Sequence, residues 1–286
     1  MSENEKAEIG IIGGSGVYDP SMLSEMESIE LITPFGAPSG PITVGIVGDR
    51  KVAFLPRHGV GHHISPSELN SRANIYALKE LGVKQIISAA AVGSLKEEKK
   101  PLDIVIPDQI YDRTKRLGTF FEGGIVAHIG IADPFCSRLS ALLYDVASGK
   151  GFSVHNGGTY VCIEGPQFST RAESFAYRQL GFDIIGMTAV PEAKLAREAE
   201  ICYGTIATVT DYDVWKDEEV GIEMVIANVQ KNELAVKEII ANVIPKMDIE
   251  SSCGCQTALE SAIVTDRSLI PKDTRKKLDL LIHKYI

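Results

Sequence analysis

The chain has 286 residues, 44% of them hydrophobic, with 29 basic against 38 acidic side chains and a formal charge of -9. Such a length fits one large α/β domain or two small ones, and the acidic balance disfavours non-specific nucleic-acid binding while still allowing an anion in a locally positive pocket. Residues 2–8 are polar and charged, unlike a signal peptide, and no apolar run approaches the ~20 residues that span a bilayer, so a soluble, cytoplasmic protein is expected.

Residues 1–8 read as a disordered, frayed terminus. Residues 9–12 form a short apolar run that ends in Gly13-Gly14-Ser15-Gly16. A strand entering a glycine turn brings backbone N–H groups near an anion. It is not a dinucleotide fingerprint, since the third glycine of that motif is replaced by Asp19, and no Lys-Ser/Thr pair makes it a P-loop. Ser15 is the one side-chain hydroxyl inside the turn.

Residues 44–47 and 51–55 flank Gly48-Asp49-Arg50 and predict a hairpin. The second strand runs into Pro56-Arg57-His58-Gly59, with His62 and His63 close behind. That histidine spacing suggests metal, but no Cys or paired Glu accompanies it and Gly59 and Gly61 break a helix. Arg57 beside His58 suits an oxyanion better, because a guanidinium can grip phosphate with two parallel bonds.

The spacing of Leu69, Ala73, Tyr76, Ala77 and Leu81 predicts a helix over 68–81, closed by Gly82. A buried strand follows over 83–89, and the small residues of 89–94 suit close approach of a ligand or of a helix. A third strand covers 103–107, then a polar loop runs over 108–121. Residues 133–149 read as a helix, 159–163 as a strand, 170–180 as a helix, 182–185 as a strand and 191–200 as a helix.

The run over 201–209 is apolar and β-branched, the pattern of a strand buried on both faces. It ends in Thr210-Asp211-Tyr212-Asp213. Two carboxylates just beyond a buried strand are costly unless something uses them, although Asp also suits a turn or a helix cap. Residues 217–243 read as a helix, 248–256 as a linker and 257–286 as helical.

Of the five cysteines, Cys136, Cys162 and Cys202 lie in apolar surroundings and read as buried packing. Cys253-Gly254-Cys255 sits in a Ser/Gly-rich stretch; two cysteines alone are too few for structural zinc, which leaves a strained local disulfide or two idle thiols. Strands alternate with helices throughout, which predicts an α/β fold with a largely parallel sheet. Five clusters stand near strand ends: Gly13–Gly16, Arg57-His58, Ala89–Ser94, Phe168-Ser169 with Met187-Thr188, and Thr210–Asp213. Loops at like ends of a sheet can converge on one pocket.

From about residue 9 to 245 the chain resembles the purine nucleoside and 5′-methylthioadenosine phosphorylase family with the trimeric subunit plan. The likeness is carried by Ile-Gly-Ile-Ile-Gly-Gly-Ser-Gly, Phe-Leu-Pro-Arg-His-Gly, Ile-Glu-Gly-Pro-Gln-Phe-Ser-Thr-Arg-Ala-Glu-Ser, Gly-Met-Thr-Ala-Val-Pro-Glu and Val-Thr-Asp-Tyr-Asp. It implies a single α/β domain over 9–247, a twisted mixed sheet or distorted barrel flanked by helices, followed by a linker and helical extension over 248–286. It implies reversible phosphorolysis of 5′-methylthioadenosine to adenine and 5-methylthioribose 1-phosphate, a salvage reaction, with phosphate as co-substrate and no metal or organic cofactor. Adenosine as a further substrate, a broader purine nucleoside phosphorylase and a non-catalytic nucleoside-binding module are the alternatives.

By that resemblance Ser15, Arg57, His58, Thr188 and the backbone at Ala91 hold the phosphate. Phe168 stacks on the purine and Ser169 donates to its N1. Met187 lies under the ribose, Asp211 protonates N7, and Asp213 receives the 6-amino group. Ile222 and Val225 form the wall around the methylthio group. His128 reaches that pocket from a neighbouring subunit of a homotrimer or a pair of trimers. Cys253 and Cys255 are implied to pair as in thermophilic archaeal members. The chain departs from the family pattern at Ala90, where many members place Thr or Ser against phosphate, and at Gln167, where Arg is usual. The partners expected are a nucleoside and phosphate, with neither nucleic acid nor membrane.

Overall fold

The computed structural model describes residues 6–14, 23–216 and 222–286, with the side chain of Ile222 left out. Among these the strands are β1 (Ile9–Gly13), β2 (Ser24–Ile29), β3 (Ile42–Val47), β4 (Arg50–Pro56), β5 (Gln85–Ser94), β6 (Ile104–Ile106), β7 (Gln109–Asp112), β8 (Val154–Asn156), β9 (Thr159–Cys162), β10 (Ile184–Gly186) and β11 (Cys202–Asp211). The helices are α1 (Ser71–Glu80), α2 (Ser137–Gly149), α3 (Arg171–Gln179), α4 (Ala189–Glu198), α5 (Ile222–Val243) and α6 (Lys272–Ile282). No helix among the described residues is long and apolar enough to cross a membrane.

The sheet is organised around β5. Its first residues pair in parallel with β1 on one side, and β11 runs parallel to it on the other from Cys202↔Gln85 onward. Its last two residues pair antiparallel with β10, which carries β9 and β7. From β11 the sheet continues through β6 to β8, and from β1 through β4 to β3 and β2. The sheet is therefore mixed rather than largely parallel, because the β3–β4 hairpin and the two short crossings at β10 and β6 reverse direction.

Helices cover both faces, and alternation along β11 shows why. Cys202 and Ile206 pack with Leu139 and Leu143 of α2 and Val236, Ile239 and Ile240 of α5. Tyr203, one residue on, points to the opposite face, among Tyr76 and Leu78 of α1, Leu195 and Ala196 of α4 and Leu278 and Leu281 of α6. All ten residues of β11 are buried, as its apolar run predicts.

Local signals account for the helix starts. Asn70 caps α1 by accepting the Ala73 N–H, and Thr170 with Glu173 forms a reciprocal capping box on α3. Within the range of α4, Val190 is non-helical, so the regular turns begin near Pro191, where the sequence places them.

Several expectations are corrected. Residues 6–8 are tied down: Ala7 is buried and donates to the Leu81 carbonyl, while the Glu8 carbonyl receives the Lys84 N–H. β2 escapes sequence reading because its Ser-Glu-Met-Glu-Ser-Ile stretch is an exposed edge, and β7 lies inside the expected loop over 108–121. The small residues of 89–94 belong to β5. Residues 248–286 pack into the core, with Ile249 and Cys255 in one cluster and Leu259, Ala262, Ile270, Leu278, Leu281 and Ile282 in another. Within 257–286, α6 is the only α-helix.

One buried acid in this frame should make stability depend on pH. Glu198 on α4 is 5% exposed and its Oε2 accepts the Phe120 N–H at 2.6 Å. Burial pushes its carboxyl from 4.5 up to about 7, against the opposing pull of that bond. The folded state thus binds the proton more tightly than the unfolded one, a stabilisation present below pH 4.5 and lost as pH rises through 7. The expected loss is about 3 kcal/mol. Urea unfolding at acidic and at mildly alkaline pH measures it, and Glu198→Gln should flatten that part of the profile.

Candidate active site

Five strand ends and the first turns of two helices converge on one cavity of about 300 Å³. Its lining includes Gly14 after β1, Arg57 and His58 after β4, Ala90 to Gly93 of β5, Phe168 and Ser169 ahead of α3, Met187 and Thr188 after β10, Thr210, Asp211 and Asp213 at the end of β11, and Val225 of α5. The structure thus brings together all five clusters. Ser15 lies outside the described residues, as does the side chain of Ile222. His128 is exposed, donates its backbone N–H to Ala262, and does not line the cavity of its own chain.

β5 forms the floor. Ala91 is the one exposed residue in a largely buried strand, and it faces the cavity. Arg57 touches the strand at Ser88 and Ala89, while Asp211 stands in register with Gly93. Gly93 stands four positions beyond Ala89, about 13 Å along a strand. That spacing accommodates a heterocycle at one end and an anion at the other.

The anion end differs from the sequence expectation. Arg57 is 1% exposed, and its fork grips protein rather than solvent. Nε donates to Glu192 Oε1 at 2.6 Å and Nη2 to Glu192 Oε2 at 3.1 Å. Nη2 also donates to Ser88 Oγ at 2.6 Å, and Nη1 to the Ala89 carbonyl at 2.8 Å. A guanidinium has five N–H groups, so a single one, on Nη1, remains for a ligand. The two-bond grip expected from the sequence is therefore not open to this guanidinium. Burial opposes the Arg57 charge, but Glu192 outweighs it and holds the group well above its ordinary value. Tyr203 completes the network by donating to Glu192 Oε2 at 2.8 Å. Only glycine fits at 14, where a Cβ would stand 2.8 Å from Arg57 Nη1.

His58 Nδ1 lies 2.9 Å from the Ile64 carbonyl. A carbonyl only accepts, so Nδ1 carries the hydrogen and the neutral ring has its lone pair on Nε2. Burial, with the Arg57 charge, pushes the imidazole down to about 4, so it is neutral near pH 7. His62, which the sequence leaves as structural, stacks on it at 4.2 Å and lines the cavity. Thr188 stands at the start of α4, and its side chain makes no capping bond. Its hydroxyl is in hydrogen-bond contact with Tyr160, and a hydroxyl there can also donate to an anion.

At the other end a bulge re-aims the acids. Val209 pairs with Val92 but Asp211 with Gly93, so β11 holds one residue too many at Thr210. A Cβ on Gly93 would come within 3.0 Å of Asp211 Oδ1. Asp211 Oδ2 accepts the Thr210 hydroxyl and Oδ1 the Asp213 N–H, both at 2.7 Å. Burial raises the Asp211 pKa although both bonds pull it down. Burial also raises that of Asp213, with the Asp211 charge adding to it. Asp213 adopts φ +53°, which Asp tolerates better than most residues.

Two cavity-lining atoms, Asp213 Oδ2 and Ser169 Oγ, are buried with no hydrogen-bond partner. Buried polar groups are rarely left unpaired, so one acceptor and one hydroxyl at this end of the cavity remain to be matched by a ligand. Phe168 is half exposed beside them, its ring available for stacking. Glu192 is the residue that sequence reading passed over, although it closes the Gly-Met-Thr-Ala-Val-Pro-Glu motif.

The family model described as the phosphorylase superfamily matches residues 8–245. The S-methyl-5'-thioadenosine phosphorylase of Geobacter sulfurreducens is 53% identical over 282 residues, 97% of this chain and 99% of that protein. That of Saccharolobus solfataricus is 51% identical over 269 residues, 92% of this chain and 100% of its own length. Among solved structures, a methylthioadenosine phosphorylase from an antarctic soil metagenomic library superposes with TM-score 0.93 at 47% identity, covering 97% of this chain and 99% of that one. The Schistosoma mansoni methylthioadenosine phosphorylase in complex with adenine gives TM-score 0.84 at 40% identity, covering 90% and 99%. With its cavity at the like ends of a mixed sheet and likeness of this extent, the chain belongs to the phosphorylase superfamily, in the family whose members are named S-methyl-5'-thioadenosine phosphorylase.

Proposed function

We propose that this cavity carries out phosphorolysis of 5′-methylthioadenosine, and that the residues act as follows. Phosphate lies against Gly14, Arg57 Nη1, His58, the Ala91 backbone and the Thr188 hydroxyl, and Ser15, outside the described residues, is assigned to it as well. The ribose rests on Met187 and the purine stacks on Phe168. A phosphate oxygen bonds to the anomeric carbon as the bond from that carbon to N9 breaks. The released electron pair enters the purine, and Asp211 hands a proton to N7. The products are adenine and 5-methylthioribose 1-phosphate.

The observation that carries this reading is the pair of unpartnered buried atoms beside a carboxyl whose hold on a proton is raised by burial. Ser169 donates to N1 of adenine, which has no hydrogen there, and Asp213 accepts from the 6-amino group. A mismatched buried donor or acceptor costs about 1–3 kcal/mol, which disfavours hypoxanthine and guanine. Val225 brings an apolar side chain to the cavity, in favour of a thioether over a hydroxyl. We assign Ile222, whose side chain lies outside the described residues, to the same wall, and His128 to it from a neighbouring subunit of a trimer or a pair of trimers.

Adenine release from methylthioadenosine is the test, run with and without phosphate. Release that depends on phosphate supports the proposal. Release without it makes the protein a hydrolase, and no release makes it a binding module; either result overturns the proposal. Comparing adenosine with methylthioadenosine then weighs the 5′ pocket.

A further inference from the structure

At the far end of β11 from Asp211, four cysteines meet. Cys136 precedes α2, Cys202 opens β11, and Cys253 and Cys255 flank Gly254 where a short 3₁₀ turn begins. Their sulfurs all lie within 4.8 Å of one another. Cys253 Sγ is 3.2 Å from Cys202 Sγ and 4.0 Å from Cys136 Sγ, and all four carry free thiols. This differs from both expectations drawn from the sequence. Cys136 and Cys202 are buried but not plain packing, and Cys253 stands beside Cys202 rather than in a local pair with Cys255.

We propose that Cys136, Cys202, Cys253 and Cys255 bind one zinc ion as a structural tetrathiolate centre. A tetrahedral ion with Zn–S bonds near 2.3 Å sets its sulfurs about 3.8 Å apart, and the observed separations bracket that spacing. Four soft thiolates in tetrahedral array select zinc or iron over harder cations. Iron–sulfur clusters place sulfide and several irons between the cysteines, and a group this tight leaves room for a single ion.

The surroundings fit the charge. Binding releases four thiol protons and leaves a complex of net charge -2. Cys136 sits at the N-terminus of α2, where backbone N–H groups favour negative charge. Arg138 is in electrostatic contact with Cys202, Cys136 and Cys253. Its Nη1 donates to the Asp248 carbonyl at 2.8 Å, but its Nε and Nη2 are buried with no partner. A guanidinium so placed is a ready donor to thiolate sulfur. The centre would tie residues 253–255, which lie in the segment after α5, to the first residue of β11.

The full chain, purified without chelator, is tested by metal analysis. About one zinc per chain is expected, and cobalt-loaded protein should show the intense thiolate-to-cobalt absorption of a tetrahedral site. Cys136→Ser and Cys253→Ser should lose the ion and melt at lower temperature, with adenine release at moderate temperature unchanged. Arg138→Gln should weaken zinc binding by about 10–100-fold. Five titratable thiols in unfolded wild-type protein that takes up no zinc on reconstitution would overturn the proposal. So would non-reducing peptide maps that find disulfides among the four, or iron in place of zinc.

Discussion

Asp211→Asn should lower adenine release at saturating phosphate by about 10²–10⁴-fold, the usual worth of a positioned proton donor. The amide keeps the size of the carboxyl, so melting temperature should stay near that of the unaltered protein. Preference should also move toward 6-oxopurine nucleosides, because the amide can donate to O6. The pH profile adds a sign that a packing role would not give. Burial raises the Asp211 pKa, so the proton is held to higher pH than on an ordinary carboxyl; the rate should fall as pH rises through that pKa, and the Asn variant should lack that limb. Initial rates with methylthioadenosine and inosine across pH measure all three effects. Full adenine preference in the variant would mean that another group faces N7.

Glu192→Gln should cost about 3–5 kcal/mol of stability, because it strands a fully buried guanidinium. Thermal unfolding should begin on the order of 10 °C earlier. Glu192 touches Arg57, Ser88 and Tyr203 at once, so the KM for phosphate should rise as the Arg57 fork loses its anchor. Replacing both charges, as in Arg57→Met with Glu192→Leu, should recover much of the lost stability without recovering phosphate use. A Glu192→Gln protein that melts with the wild type would overturn this account of the cradle.

The central elements were legible in the sequence because burial on both faces leaves an unbroken apolar run, as in β11, and because caps such as Thr170 with Glu173 announce themselves. β2 was not, since an exposed edge strand needs no apolar pattern. The site was legible as clusters at strand ends, and the acids of Val-Thr-Asp-Tyr-Asp do reach the cavity. What each group does there was less so. That the Arg57 fork faces Glu192, 135 positions away, is a fact of tertiary packing. The bulge at Thr210 is a matter of register, which no spacing within one strand reveals. The thiol group joins residues from three distant stretches, and only two of its four members are neighbours in sequence.

The cancelled charge of Arg57 and Glu192 has a consequence for how phosphate arrives. A neutral pair beside an uncharged imidazole offers an incoming dianion little long-range attraction, while the chain as a whole carries -9. Ions in solution damp forces beyond roughly 8–10 Å at physiological strength but barely touch contacts between buried partners. Salt should therefore ease the encounter of phosphate with this protein and leave its grip, once docked, almost untouched.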